Sequence, residues 1–341
     1  MRIKTKKRNI LPFFVFGFWF LKKIFIGGKW FLYKIRNFCV RIFVFSCGLF
    51  LREQKIIFMI DGGLGSQMWQ YAIGQAIEKK SRVSVYYDAE WYKYYGKDCS
   101  GQYNRNWELD SIFPSICVKK ANHSDIVFYK KYLNMKYSAT GTVNTFIEKI
   151  ISSRNPRYLG EYYDNPRYFH SVEKYLRNQF IFNTKAFSED TMKMAESIMN
   201  TPCAIALQVR RGDFVSLGAS NSSEYFFDAV EQIKMLVSKN DPVPVVFFVF
   251  SNDIAFCTEM FSIRNEKFVF VDINDNDRGS EDMYLMSLCR HFIISASSFG
   301  WWSAFLSIVD MNKIVITPKI WRHGESHADR GRMLLDGWMG L

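Results

Sequence analysis

The chain has no CxxC pair among its seven cysteines and no cluster among its five histidines. A zinc site and a disulfide frame are therefore not expected. Most of the cysteines sit in apolar surroundings, such as CAIAL around Cys203, and read as buried thiols of a reducing compartment. Also missing is an apolar run that spans a bilayer comfortably as a helix, which takes roughly 20 residues. The longest charge-free run near the N-terminus is Asn9 to Leu21, and the next, Ile42 to Leu51, is shorter. No small-residue cleavage site follows the first run, so a removed signal peptide is not expected. Internal repeats and low-complexity tracts are absent as well.

Acidic residues are nearly absent from one stretch. Residues 1–55 hold 13 Lys/Arg against a single acid, Glu53, which accounts for the whole net charge of +12. The other 286 residues carry 32 charges of each sign. A neutral body excludes a globally basic nucleic-acid binder and leaves the positive charge to an N-terminal arm. That arm is aromatic too, reading ILPFFVFGFWFL, IFIGGKWFLYKIRNF and CVRIFVFSCGLFL between its cations. The pattern predicts a segment lying in the headgroup layer, with aromatics buried and residues 1–52 on an anionic membrane surface. The expected location is then membrane-associated, on the cytoplasmic face of the inner membrane. Two other readings stand beside it: a short signal anchor of a lumenal protein, and an arm packed on the protein's own body. Asn122-His123-Ser124 and Asn221-Ser222-Ser223 match the N-glycosylation pattern, which is too short to decide between them.

Beyond the arm, hydrophobic periodicity orders much of the chain. KIIFMI (55–60) reads as a strand, 66–80 as a helix and VSVYYD (83–88) as a strand, which makes one βαβ unit. Residues 90–180 are rich in Tyr, Asn, Lys and Arg with turn signals, and they yield no element order until a helix from about Ser171. Residues 183–202 read as a linker containing a polar helix. Then strands at 203–209, 243–251, 267–272, 291–295 and 313–318 alternate with helices at 222–239, 254–261, 280–289 and 298–309. Such alternation implies parallel sheets covered on both faces. The expected organisation is the arm (1–54), an N-terminal α/β domain (55–182) and a C-terminal α/β domain (183–341), with ligand between the two domains.

Three places can carry chemistry. MIDGGLGSQMWQYAIGQAI (59–77) holds glycines 62, 63 and 65 at a strand-to-helix turn. The glycines let backbone N–H groups approach a ligand, and the helix start near Ser66 favours an anion, although a plain tight turn reads equally well. It matches neither the dinucleotide fingerprint, because Met68 stands at the third glycine, nor a P-loop, because no Lys follows. QVRRGDF (208–214) lies past the carboxyl end of a buried strand, where open α/β sheets bind ligands. Two adjacent guanidiniums there suit a phosphate oxygen pair, and Asp213 can pin an Arg; the bland alternative is a surface turn. ISASSFGWWSAFL (294–306) again joins a strand to a helix, with Ser295, Ser297 and Ser298 at the junction. Hydroxyls and free N–H groups there suit a sugar phosphate, whereas Phe299, Trp301 and Trp302 are mostly core material. Asp282 opens the preceding helix, where its carboxylate either accepts from a guanine edge or simply complements the helix dipole.

Together these stretches resemble the α-1,2-fucosyltransferases, glycosyltransferase family 11, whose pattern is GGLGNQMFQYA, HIRRGDY and LMS-C-H-I-ANSSFSWW-AWL. Here they stand as GGLGSQMWQYA, QVRRGDF and LMSLCRHFIISASSFGWWSAFL, and the likeness covers about residues 56–322, with ITPKIW (316–321) near its end. The resemblance implies a GT-B-like α/β fold of two Rossmann-like domains facing across a cleft. It implies an inverting transfer of fucose from GDP-fucose to the 2-hydroxyl of a terminal β-galactose on a surface glycan, with no cofactor and no metal; the alternatives are a related GT-B transferase with another donor sugar or linkage, and a catalytically weak, membrane-tethered nucleotide- or glycan-binding protein. Arg211, with Arg210, is then expected to neutralise the departing diphosphate, and Asp213 to act as base or to orient an Arg. Gly63, Gly65, Ser66, Gln67, Gln208, Asp282, Ser297, Ser298 and Phe299 are the expected substrate-binding residues. The chain departs from the pattern at Gln208 (His in the family), Ala296 and Ser66 (both Asn) and Phe214 (Tyr). Gln208 keeps hydrogen-bonding capacity but does not titrate near neutral pH.

Overall fold

The structure is a computed structural model, and it describes residues 35, 38–40, 42–43, 45–46, 55–98, 101, 103–135, 156–160, 165–240, 243–274, 278–310, 312–321 and 330–341. It divides into two compact units, Met1–Gln54 and Lys55–Leu341. In the first, the described positions between 35 and 46 are helical, and Phe38, Val40, Ile42 and Phe43 are exposed. Among the described residues no helix is long and apolar enough to cross a membrane. The expected membrane-binding arm otherwise lies outside the described residues.

The second unit opens with β1 (Ile56–Met59), α1 (Leu64–Ser81) and β2 (Val85–Asp88), followed by α2 (Glu90–Tyr94), α3 (Leu109–Ile112), α4 (His123–Tyr132), β3 (Asn134–Met135) and β4 (Arg157–Leu159). β1 is flanked on both sides by parallel partners, Ile57 pairing with Tyr86 of β2 and Tyr158 of β4, so Ile56, Ile57 and Phe58 are fully buried. The resulting four-stranded sheet has the order β2-β1-β4-β3. Asn122 caps α4 by accepting from Asp125 N, and Lys55 meets Asp125 at 2.6 Å beneath it. Residues 90–135 thus hold short helices and irregular chain, which carry little periodicity for a sequence pattern to register.

Two 3-10 turns, Pro166–Tyr168 and His170–Val172, lead into α5 (Glu173–Gln179). The expected linker at 183–202 is instead packed structure. It contains α6 (Glu189–Met199), whose Thr191, Ala195 and Ile198 are buried. Its cap Ser188 donates N–H and hydroxyl to the carboxylate of Glu281. Then follow β5 (Cys203–Val209), α7 (Asp213–Ser216), α8 (Ser223–Asn240), β6 (Val245–Ser251), α9 (Ile254–Phe261), β7 (Lys267–Phe270), α10 (Gly279–Ser287), β8 (His291–Ile293), α11 (Ser298–Leu306), β9 (Val315–Thr317) and β10 (Met339–Gly340). This sheet is parallel throughout, in the order β10-β9-β8-β5-β6-β7. β5, at its centre, is buried at every residue, as a strand covered on both faces must be.

α11 ends three residues short of the pattern's limit because side chains take its last carbonyls. Arg177 donates to Phe305 O, and Lys313 Nζ lies 2.5 Å from Ser307 O. Such cations at a helix C-terminus also complement its dipole. Burial lowers the Lys313 pKa to about 8.

One hydrophobic core runs through both sheets, from Ile56, Phe58 and Trp69 to Phe292, Trp301 and Trp302. Its centre is an aromatic cluster between α1 and α11. Trp69 lies edge-on to Trp301 at 4.8 Å and to Trp302 at 5.6 Å, while Phe169 stacks on Trp302 at 5.5 Å. Such edge and offset pairs add about 0.5–1.5 kcal/mol each beyond area burial. The tryptophans of GWW are therefore structural, as their composition suggests, and they fix the starts of α1 and α11 against each other. Cys203, Cys257 and Cys289 are buried thiols as expected, but Cys117 is exposed.

Candidate active site

The carboxyl ends of β1, β5, β6 and the turn before α11 border one cavity of about 1040 Å³, lined by groups from both sheets. Its floor is tied together by Ser295. Its hydroxyl donates to Gln208 O at 2.9 Å and accepts from Arg210 N at 2.9 Å, while its N–H donates to Gln208 Oε1 at 3.2 Å. Asn221 accepts from Ala296 N at 3.1 Å, and Tyr225 donates to Ile294 O at 2.7 Å. The turn before α11 is thus held from below, where sequence alone showed Asn221 only as part of a glycosylation pattern. Gln208 has the hydrogen-bonding role open to it and lines the cavity, 5 % exposed.

The two arginines of RRGD part company. Arg210 lines the cavity and pairs with Asp213 Oδ1. Arg211 turns away: its Nε donates to Asp253 Oδ2 at 3.1 Å, and its guanidinium lies 3.5 Å from the centre of the Phe256 ring. The leading role expected of Arg211 is therefore corrected in favour of Arg210. The turn that separates them needs Gly212. Its φ of 54° belongs to the left-handed region, and a Cβ there would lie 2.2 Å from Asn252 Nδ2.

Asp213 is 5 % exposed and also faces Arg105, whose Nη2 lies 3.8 Å from its Oδ2. Arg105 comes from the irregular stretch before α3, reaches Asp98 at 3.9 Å and lines the cavity opposite β5. Burial, and then the like charge of Arg105, pull the Arg210 pKa down, with Asp213 opposing. Two guanidiniums therefore share one carboxylate, and an anion entering here meets both. Asp213 is committed to holding cations, so its geometry fits orientation of arginine rather than a base.

Two helix N-termini converge beside this pair. A Cβ on Gly65, in the first turn of α1, would lie 2.7 Å from Ser298 Oγ and 2.8 Å from Phe299 N at the start of α11. Gly65 O accepts from Trp302 Nε1 at 3.0 Å. So Gly65 serves the contact of two helices and also lines the cavity. Gln67 is turned inward: it is fully buried, donates to Gly62 O and Asn106 O, and accepts from Glu108 N. Its expected contact with substrate is corrected to a clamp on the turn. Gly63, which faces Arg105 Nη1, and Ser66 do line the cavity, as do Ser297, Ser298 and Phe299. Neither helix has a side-chain N-cap, so their first N–H groups are left for a ligand.

On the far wall stand Asp272, Asn274 and Asp282. Asn274 Nδ2 donates to Asp282 Oδ1 at 2.8 Å. Burial, chiefly, and the neighbouring carboxylates of Glu281 and Asp272 raise the Asp282 pKa to about 7, against the Asn274 hydrogen bond and Arg278. The other residues that sequence reasoning missed are Asp61, Asn252 and Arg105. Asp61 follows β1 and pairs with Gln70 in both directions, Gln70 Nε2 to Oδ1 at 2.8 Å and its own N–H to Gln70 Oε1 at 3.0 Å. A carboxylate inside a glycine turn and an Arg in an unordered stretch give no periodic signal.

A cavity between parallel sheets, with paired guanidiniums, two helix N-termini and a carboxylate on the opposite wall, is the arrangement of a sugar-nucleotide transferase. The family description Glycosyl transferase family 11 matches residues 116–341, and the chain belongs to that family. It is similar to the alpha-1,2-colitosyltransferase of Escherichia coli, 28% identical over 290 residues, 78% of this chain and 92% of that protein. The Escherichia coli O-antigen biosynthesis glycosyltransferase WbnK is 24% identical over 83% of this chain and 99% of its own length. Galactoside alpha-(1,2)-fucosyltransferase 1 of Rattus norvegicus is 24% identical over 41% of this chain and 39% of its own. Among solved structures, the NodZ alpha-1,6-fucosyltransferase soaked with GDP-fucose covers 75% of this chain and 93% of that chain, at 12% identity and a TM-score of 0.46.

Proposed function

We propose that this glycosyltransferase moves fucose from GDP-fucose to the 2-hydroxyl of a terminal β-galactose on a surface glycan, with inversion at the anomeric carbon. The observation that carries the donor reading is the position of Arg210 and Arg105 on either side of Asp213, beside the starts of α1 and α11. As the bond to the sugar breaks, negative charge grows on the diphosphate. Fixed donors aimed at that charge stabilise the transition state more than the ground state, an effect of about 2.7–4 kcal/mol for one such donor. Two guanidiniums take the charge-neutralising role, so the reaction proceeds without a divalent ion. Ser297 and Ser298 would hold the phosphates with the N–H groups of α11. Asp282 would accept from the two adjacent N–H donors of the guanine edge, which requires its ionised form. The division into an acceptor-side domain (55–182) and a GDP-sugar domain (183–341) fits the two sheets, with membrane attachment left to residues 1–52.

A second reading has its own support. Alpha-1,2-colitosyltransferase is matched over more of this chain than the rat fucosyltransferase is, which favours a related transfer with another deoxysugar. Turnover separates the two. Purified protein is given GDP-fucose, other GDP sugars, UDP and dTDP sugars, and a panel of β-galactosides, with a chelator present. GDP release coupled to fucosylation supports the first reading; faster transfer of another sugar replaces it.

A further inference from the structure

The transfer needs a group to take the proton of the attacking hydroxyl, and Asp213 is committed to two arginines. We propose that Asp61 is the general base, held for that task by Gln70. The assignment rests on the transferase reading above and adds to it the residue that activates the acceptor.

Three observations converge on Asp61. It is 8 % exposed, yet it lines the cavity at the carboxyl end of β1, on the wall of the four-stranded sheet, across from Arg210 of the six-stranded sheet. The reciprocal pair with Gln70 fixes the carboxylate through its backbone N–H and Oδ1. Oδ2 has no partner among the described residues, so a strong acceptor is left open on the cavity side. An inverting displacement places the acceptor oxygen opposite the leaving phosphate, and a base must lie within hydrogen-bond reach of it. Asp61 shares one cavity with Arg210, Arg105 and the starts of α1 and α11, among the groups that border the reacting atoms.

Asp98, Asp213 and Asp282 of the cavity are differently occupied. Asp98 accepts from Tyr103 N and faces Arg105, and Asp282 sits with Asp272 and Asn274 on the wall assigned to the nucleotide base. Behind Asp61, the Tyr158 hydroxyl of β4 donates to Asp88 at 2.7 Å, a carboxylate that Lys130 of α4 also meets at 3.4 Å. Asp61 adds to the charges that raise the Tyr158 pKa. Tyr92 of α2 donates to Gly62 O, and Arg105 lies beside Gly63. In the step itself the acceptor oxygen forms a bond to the anomeric carbon, and its proton passes to Asp61 Oδ2. The bond from that carbon to the phosphate oxygen breaks, with its electron pair leaving on GDP.

The test uses Asp61→Asn and Asp61→Ala in the full-length protein, with transfer and GDP binding measured separately. The Asn variant keeps an oxygen for the Gln70 hydrogen bond but takes no proton. It should lose about 100-fold or more in kcat, the lower range for a positioned general base, with GDP affinity and acceptor KM unchanged within about threefold. Added formate should restore part of the Asp61→Ala rate and leave the wild type unchanged. An Asn variant that keeps kcat within about fivefold, or that changes only acceptor KM, overturns the assignment while leaving the transferase reading intact. A wild type that binds GDP but transfers no sugar to any acceptor refutes both.

Discussion

Replacing Arg210 and Arg211 one at a time separates a group that meets the leaving diphosphate from one that does not. In Arg210→Ala the cavity loses a guanidinium held by Asp213, and among the described residues only Arg105, at 3.8 Å, remains to balance that buried carboxylate. Loss of one preorganised donor at a developing oxyanion costs about 2.7–4 kcal/mol, or 10²–10³ in kcat, and the less fully balanced Asp213 adds to the loss by repelling the diphosphate. Arg211→Ala removes a partly exposed pair with Asp253 and a stack on Phe256. The pair contributes about 0–1 kcal/mol after solvent screening, and the stack about 0.5–1 kcal/mol, both to stability. The assay is steady-state GDP release with a saturating acceptor, beside thermal unfolding of each variant. Arg210→Ala should fall at least about 100-fold in kcat while remaining folded, and Arg211→Ala should stay within about tenfold. The opposite order would refute the reasoning, because it would put the working guanidinium on the side that turns away.

Three further outcomes follow from particular contacts. The raised pKa of Asp282, about 7, means that its protonated form favours the native state; that contribution is full below the unfolded carboxylate value and is lost as pH rises through about 7. Nucleotide binding runs the other way, because guanine needs the ionised form. GDP affinity measured by calorimetry should therefore rise about tenfold from pH 6 to pH 8, more than IDP affinity does, and Asp282→Asn should flatten the difference. Gly65→Ala forces a Cβ to within 2.9 Å of α11 backbone, so unfolding should show a loss of about 1–3 kcal/mol; an unchanged melting curve would argue against the close helix contact. Binding of the full chain to anionic vesicles should weaken with salt and vanish on deleting residues 1–52, and unchanged binding of the shortened chain would reject a membrane role for the arm.

Five strands of the six-stranded sheet were legible because they are continuous apolar runs, and the helices between them fell within a few residues of the pattern; β10 (Met339–Gly340), two half-buried residues beside β9, gave no such signal. Helix ends were less so: α11 stops where Arg177 and Lys313 reach its carbonyls, a tertiary event. The motif residues were legible as a cluster, since Ser66, Gln208, Arg210, Asp213, Asp282, Ser297 and Ser298 share one cavity. Their division of labour was not. Adjacent arginines look alike in a sequence, and the left-handed turn at Gly212 decides which one faces inward. Gln67 follows the same turn as Ser66, and only its bonds to Gly62, Asn106 and Glu108 show that it faces inward. Arg105 sits in the stretch with neither a 2-residue nor a 3.6-residue period, so its approach to Asp213 had no local signature.

The central claim is tested most directly by a mass-resolved screen of glycan acceptors with GDP-fucose, followed by linkage analysis of any product. The expected result is one deoxyhexose added per terminal β-galactose, α-linked at the 2-hydroxyl, with one GDP released per transfer in the presence of a chelator. Folded protein that binds GDP yet modifies no acceptor, or that transfers only from UDP or dTDP sugars, would contradict it.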